Sequence, residues 1–111
     1  LQAPSITMSG SVFANGGAGG AGGGPTTAPP TANAPAGSDG LTARQVALGG
    51  ASINGDRNGG NGAAFNGTSL INATSGGAAT NGGGGGGGVG RIVIHGGFTG
   101  SRMFSPEPAF F

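Results

Sequence analysis

Cysteine, lysine, tyrosine and tryptophan are all missing from this chain, and charge of either sign is scarce. Without cysteine no disulfide can staple the fold, and thiols say nothing about the redox compartment. Without tyrosine or tryptophan to stack bases, and with only Arg44, Arg57, Arg91 and Arg102 as scattered cations, a nucleic-acid partner is not expected. Charged residues are 6% of the chain and the formal net charge is +1. A soluble monomer usually shows about a quarter of its surface as charge, so this surface does little to oppose association. A disordered solvating segment would be strongly charged, which this chain is not. No apolar run approaches the ~18 residues of a membrane span. Large apolar side chains are also few: Val, Ile, Leu, Met and Phe together number twenty-one. That is thin for a conventional core that must offset roughly 1–2 kcal/mol of backbone entropy per residue.

The inventory for catalysis is almost empty. His95 is the single histidine, and the acids are Asp39, Asp56 and Glu107. No spacing builds a nucleophile, base and orienting group from them, so an enzyme is not expected. Zinc would need three or four Cys, His or acid ligands, and tandem calcium repeats need an aspartate in each repeat. Gly37-Ser38-Asp39-Gly40 and Gly55-Asp56 do not recur in register. The glycine runs match any glycine pattern, and no Gly-Lys-Ser/Thr follows them. No catalytic, metal-binding or cofactor-binding residue is therefore assigned, and no cofactor is expected.

What the chain has is glycine: thirty residues, beside seven prolines. Without periodicity such a share signals low complexity, so the spacing decides. Three stretches carry one triplet rhythm: Asn15-Gly-Gly-Ala18-Gly-Gly-Ala21-Gly-Gly-Gly24, Asn58-Gly-Gly-Asn61-Gly-Ala-Ala64, and Ser75-Gly-Gly-Ala78 through Asn81 into Gly82–Gly88 and Val89-Gly90. A polyproline-II type helix has about three residues per turn and a rise near 3.1 Å. Side chains three apart line one edge of it, and glycine leaves the other two bare for a neighbouring backbone. Such a helix makes no internal hydrogen bonds, so its N–H and C=O groups must be satisfied laterally or by water.

Between these runs lie short apolar stretches that read as strands. They are residues 5–9 and 11–14, 46–48 and 51–54, 68–73, and 91–95. In the last, Ile92 and Ile94 share one face, and Arg91, Val93 and His95 the other. The first two match at an offset that sets Ile6 against Val46, Met8 against Leu48 and Phe13 against Ile53. Asn-Gly pairs at 15–16, 54–55, 66–67 and 81–82 mark corners. The predicted fold is therefore all-β or irregular and free of helix. Short strands alternate with polyglycine-II type runs in a β-solenoid-like or glycine-sandwich arrangement.

One structural domain is expected: a first strand and glycine run (1–25), a Pro/Thr-rich loop or spacer (26–40), strand and glycine repeats (41–97), and an aromatic tail (98–111). Asn66-Gly67-Thr68 and Asn72-Ala73-Thr74 fit the N-glycosylation acceptor, and Thr26, Thr27 and Thr31 lie in a stretch suited to O-glycans. Asn66, Asn72 and these threonines are the candidate glycosylation sites, and covalent glycans would supply solubility that charge does not. The tail holds Phe104, Phe110 and Phe111 around Pro106-Glu107-Pro108. It can fold back on its own domain or plug into a neighbouring subunit, and the second is favoured because exposed terminal aromatics mark contact sites.

The segments Asn15–Gly24 and Asn81–Ile94 resemble the glycine-rich repeats of bacterial secreted surface proteins, such as those of myxobacterial type. The resemblance covers about residues 5–96. It implies an extracellular or cell-surface location and a polyglycine-II or β-solenoid-like fold, with no catalytic residues to carry over. Ser105-Pro-Glu-Pro108 also looks like the start of a Pro-Glu-Pro sorting signal, without the hydrophobic span and basic end that complete one. The chain opens on Leu1 rather than methionine, as a processed or partial product would, which allows for a removed secretion signal. The expected role is a self-assembling extracellular filament or matrix subunit whose partners are copies of itself. The alternatives are a glycan- or ice-binding surface module and a disordered secreted linker.

Overall fold

A computed structural model describes residues 1–22, 34–52, 57–78, 82–100 and 102–111. No described residue is helical, as the density of glycine and proline requires. The apolar stretches and the glycine stretches do not alternate along a solenoid. They segregate into two regions of a rod measuring 61 × 21 × 19 Å.

The strands gather in the first region. β1 (Gln2–Thr7) and β2 (Gly10–Phe13) come from the start of the chain, and β5 (Val93–Thr99), β6 (Arg102–Ser105) and β7 (Ala109–Phe110) from its end. β1 pairs parallel with β5, and β5 with β7, giving a sheet of order β1-β5-β7. β2 pairs parallel with β6, with Val12 opposite Phe104. The sequence periodicity holds here: Ile92 and Ile94 are buried while Arg91 and His95 are exposed. Ile92, Ile94 and Phe104 form the core, and Ile6, Met8, Val12, Ala14 and Phe98 pack against it. A parallel sheet joins segments distant in sequence, so the start of the chain is tied to its end.

The second region draws on residues 14–63 and 72–90, with a short hairpin over 64–71 between them. Six extended segments run back and forth along the rod: 14–22, 34–40, 47–52, 57–63, 74–77 and 82–90. They are joined by backbone hydrogen bonds in steps of three. Gly16, Gly19 and Gly22 donate to the carbonyls of Ala63, Gly60 and Arg57 at 2.9, 2.9 and 2.7 Å. Ala18 and Ala21 donate instead to Ser38 and Pro35 at 2.9 and 2.8 Å. Gly84, Gly87 and Gly90 donate to Gly20, Gly17 and Ala14 at 2.9, 2.8 and 2.7 Å. Successive residues of one segment thus address different neighbours, and residues three apart address the same one. Segment 57–63 is as deeply embedded: it gives Gly59 and Gly62 to 47–52, gives Gly60 and Ala63 to 82–90, and accepts Thr74 and Gly77. Gly16, Gly50, Gly60, Gly62, Ala47 and Ala63 are buried, so this interior is made of backbone and methyl groups.

Two expectations are corrected. Residues 46–52 carry no strand; they belong to the hydrogen-bonded array, so the match between 6–13 and 46–53 is not a structural repeat, Ile53 itself lying outside the described residues. Of the loop or spacer expected over 26–40, the described part 34–40 carries no strand and bonds laterally to 14–22 and 47–52. The strand expected over 68–73 shortens to β4 (Leu70–Ile71), which pairs antiparallel with β3 (Ala64–Phe65). Its turn carries Asn66 and Gly67; Gly67 has φ 98°, a region that glycine enters without a Cβ penalty.

Candidate assembly site

The aromatic tail folds onto its own chain. β6 lies beside β2 and β7 beside β5, because the apolar residues there find the one core available. Phe104, expected at a subunit contact, is 2% exposed and central to that core, so that assignment is corrected. Phe110 and Phe111 stay at the surface, 48% and 70% exposed. Phe110 stands opposite Ile94 in the sheet register, and its ring lies 6.0 Å from that of Phe98. Arg102 sets its guanidinium 4.3 Å above the Phe98 ring and 5.6 Å from Phe110. Phe111 stacks on His95 at 5.4 Å. Phe110 ends β7 and Phe111 follows it, so the two rings rest against different neighbours, Phe98 and His95.

A polar node joins the two regions. Ser105 is fully buried. Its hydroxyl donates to Asn15 Oδ1 at 2.5 Å and accepts from the Phe65 N–H at 3.0 Å. Asn15 Nδ2 donates to the carbonyls of Leu41 and Ala43 at 2.7 and 2.6 Å. Beside it, Arg44 Nε donates to the Phe104 carbonyl at 3.2 Å, and its Nη2 pairs with Glu107 at 3.2 Å. Arg44 and Glu107 are partly exposed, so the pair adds little by charge alone; its geometry holds the 41–45 loop against the tail.

Side chains also serve the array. Asn58 and Asn61 accept through Oδ1 from the backbone N–H groups of Ser52 and Gly49 at 2.7 and 3.0 Å. Standing three apart, both reach segment 47–52. Thr74 Oγ1 accepts the Asn61 N–H at 2.8 Å. Sequence reading took these asparagines as markers of rhythm and missed them as staples; their three-residue spacing was the signal.

Of the glycosylation candidates, Asn66 and Asn72 are both exposed. Asn66 Oδ1 accepts from Thr68 and Ser69 N–H, both at 2.9 Å, closing the β3–β4 turn. Thr26, Thr27 and Thr31 lie outside the described residues. A shallow open hollow beside His95 is lined by Gln2, Ala3, Pro4 and Gly96. Among the described residues no three His, Cys, Asp or Glu side chains stand together as a metal would need, and no helix is long and apolar enough to cross a membrane. No family model, curated protein or solved structure matches the chain.

Proposed function

We propose that this protein is a structural subunit of a self-assembling extracellular filament or surface layer, in which a polyglycine-II type array forms the shaft and the strand region forms one end. The observation that carries the reading is the three-residue alternation of lateral hydrogen bonds. Backbone groups make most of the bonds between its segments, with short polar side chains at Asn58, Asn61 and Thr74 adding to them, so its order needs no large side chains and few charges. Such an array bonds to a like chain by the same rule that joins its own segments. Scarce charge leaves little repulsion to keep copies apart. Phe110 and Phe111, exposed at the strand region, supply the apolar contact between one subunit and the next.

The test is assembly of the purified chain, followed by sedimentation and electron microscopy as concentration rises. Fibres or sheets are expected, and Phe110→Ser/Phe111→Ser should raise the concentration at which they appear. This pair is preferred to removal of residues 104–111, which would take Phe104 and Ser105 from the interior. A chain that stays monomeric at every concentration would sink the proposal.

A further inference from the structure

The array has two long outer edges, and they are chemically complementary. Segment 82–90 forms one. Its Gly83 and Gly86 N–H groups go to 74–77, and those of Gly84, Gly87 and Gly90 go to 14–22. The remaining set, Gly85 and Gly88, donates to nothing among the described residues and is exposed. Segment 34–40 forms the other edge. The carbonyls of Pro35 and Ser38 accept from Ala21 and Ala18, while those of Ala36 and Asp39, each one residue further on, accept nothing among the described residues and are exposed. Wherever two segments of the array share more than one backbone–backbone bond, all the backbone donors come from one of them and all the backbone acceptors from the other. Among their unspent groups, the 82–90 edge thus offers donors three apart at Gly85 and Gly88, and the 34–40 edge offers acceptors three apart at Ala36 and Asp39.

On the 82–90 edge, steric room and missing protection point the same way. A Cβ built on Gly83 or Gly86 would lie 2.2 or 1.9 Å from a backbone oxygen, whereas one on Gly88 meets nothing within 4 Å and one on Gly85 only Thr74 O at 3.9 Å. Packing within the chain requires glycine at the first two positions and not at the last two. Edges that stay unpaired in native proteins are usually blunted by charge or proline. The strand region follows that habit, with Pro4 inside β1 and Pro108 before β7. Residues 58–90 contain neither a charged residue nor a proline.

We propose that the Gly85–Gly88 edge of one copy docks on the 34–40 edge of a second copy, extending the array sideways. An interface between two different edges of the same chain does not close on itself unless its rotation does, so it adds copies in open rows. The inference rests on the self-assembly reading and names the surface that carries it.

The test compares the wild-type chain with Gly85→Val/Gly88→Val in sedimentation and melting, and adds single-cysteine variants. The double variant should melt no lower than wild type, since its side chains point into open space, yet need about tenfold or more protein to assemble. Gly88→Cys mixed with Ala36→Cys should give a disulfide between copies on oxidation. Unchanged assembly by the double variant, or disulfides between Gly88→Cys chains alone, overturns the edge and leaves self-assembly standing. A wild-type chain that never assembles overturns both.

Discussion

The two regions of the rod are stabilised by opposite means. In the strand region Ile94 and Phe104 are almost wholly buried and the sheets close around them; order there comes from side-chain volume. In the array the comparable positions are glycines whose missing Cβ is the point. A Cβ on Gly16, Gly49 or Gly59 would lie 1.8–1.9 Å from a backbone oxygen of the facing segment. Order there comes from backbones approaching closely enough to bond at 2.7–3.2 Å. Glycine loses more freedom on folding than any other residue, so the array offsets that cost by regular hydrogen bonding over many segments. One small core of Ile92, Ile94 and Phe104, with Ile6, Met8, Val12, Ala14 and Phe98 against it, is enough because the array needs almost no large side chains.

The harshest way to break this contrast is Gly59→Ala. Its Cβ would fall 1.8 Å from the Gly19 carbonyl oxygen and 2.9 Å from the Gly20 carbonyl carbon. The obstruction is backbone, which has no other rotamer to adopt. We expect the loss to exceed the roughly 1–3 kcal/mol typical of an overfilled core, with amide protection lost at Gly16, Gly19 and Gly22. Native-like protection of these amides would show that the segments can part without cost.

Phe104→Ala addresses the other region and should cost about 3–5 kcal/mol in denaturant unfolding. Hydrogen exchange should place the damage in β2, β5 and β6, while the array amides keep their protection. Equal loss in both regions would make the rod one cooperative unit and erase the distinction.

Ser105→Ala strikes the node that both regions share. It leaves the Phe65 N–H and the Asn15 side chain without their buried partner, at a cost of about 1–3 kcal/mol. Exchange should rise on both sides of the node together, at Ala14 and Gly16 as well as in β6. A change confined to β6 would reduce Ser105 to a local role.

How legible the molecule was follows the same division. Ile92 and Ile94 alternate with Arg91, Val93 and His95, and that alternation set their burial correctly, because a strand with one apolar face has one way to lie on a core. The absence of helix among the described residues followed from glycine and proline. The partners did not follow. Nothing local in Gln2–Thr7 says that it pairs with Val93–Thr99, since parallel pairing between the chain's beginning and end is decided by the closed core. Val46–Leu48 has the composition of a strand and lies in the array because Ala47 fits where Gly62 needs an acceptor. Phe104 and Phe110 look alike in sequence; the register opposite Val12 buries the first, and the sheet edge exposes the second. The Asn15–Ser105 bond spans most of the chain, beyond the reach of any spacing rule.

The finest contrast lies inside one run of seven identical residues, Gly82–Gly88, where sequence offers no distinction at all. Gly86→Ala should behave like Gly59→Ala in kind, because its Cβ would meet the Asn61 carbonyl oxygen at 1.9 Å. Gly88→Ala meets nothing within 4 Å, and its φ is not in the left-handed region. There the substitution acts through the unfolded chain: alanine has less freedom to lose, which stabilises by about 0.4–1 kcal/mol where the native backbone suits it. Two alanines placed two residues apart should thus shift the melting temperature in opposite directions. Two losses of similar size would mean that glycine in this run serves flexibility, and that the three-residue alternation of hydrogen bonds does not set which glycines the array requires.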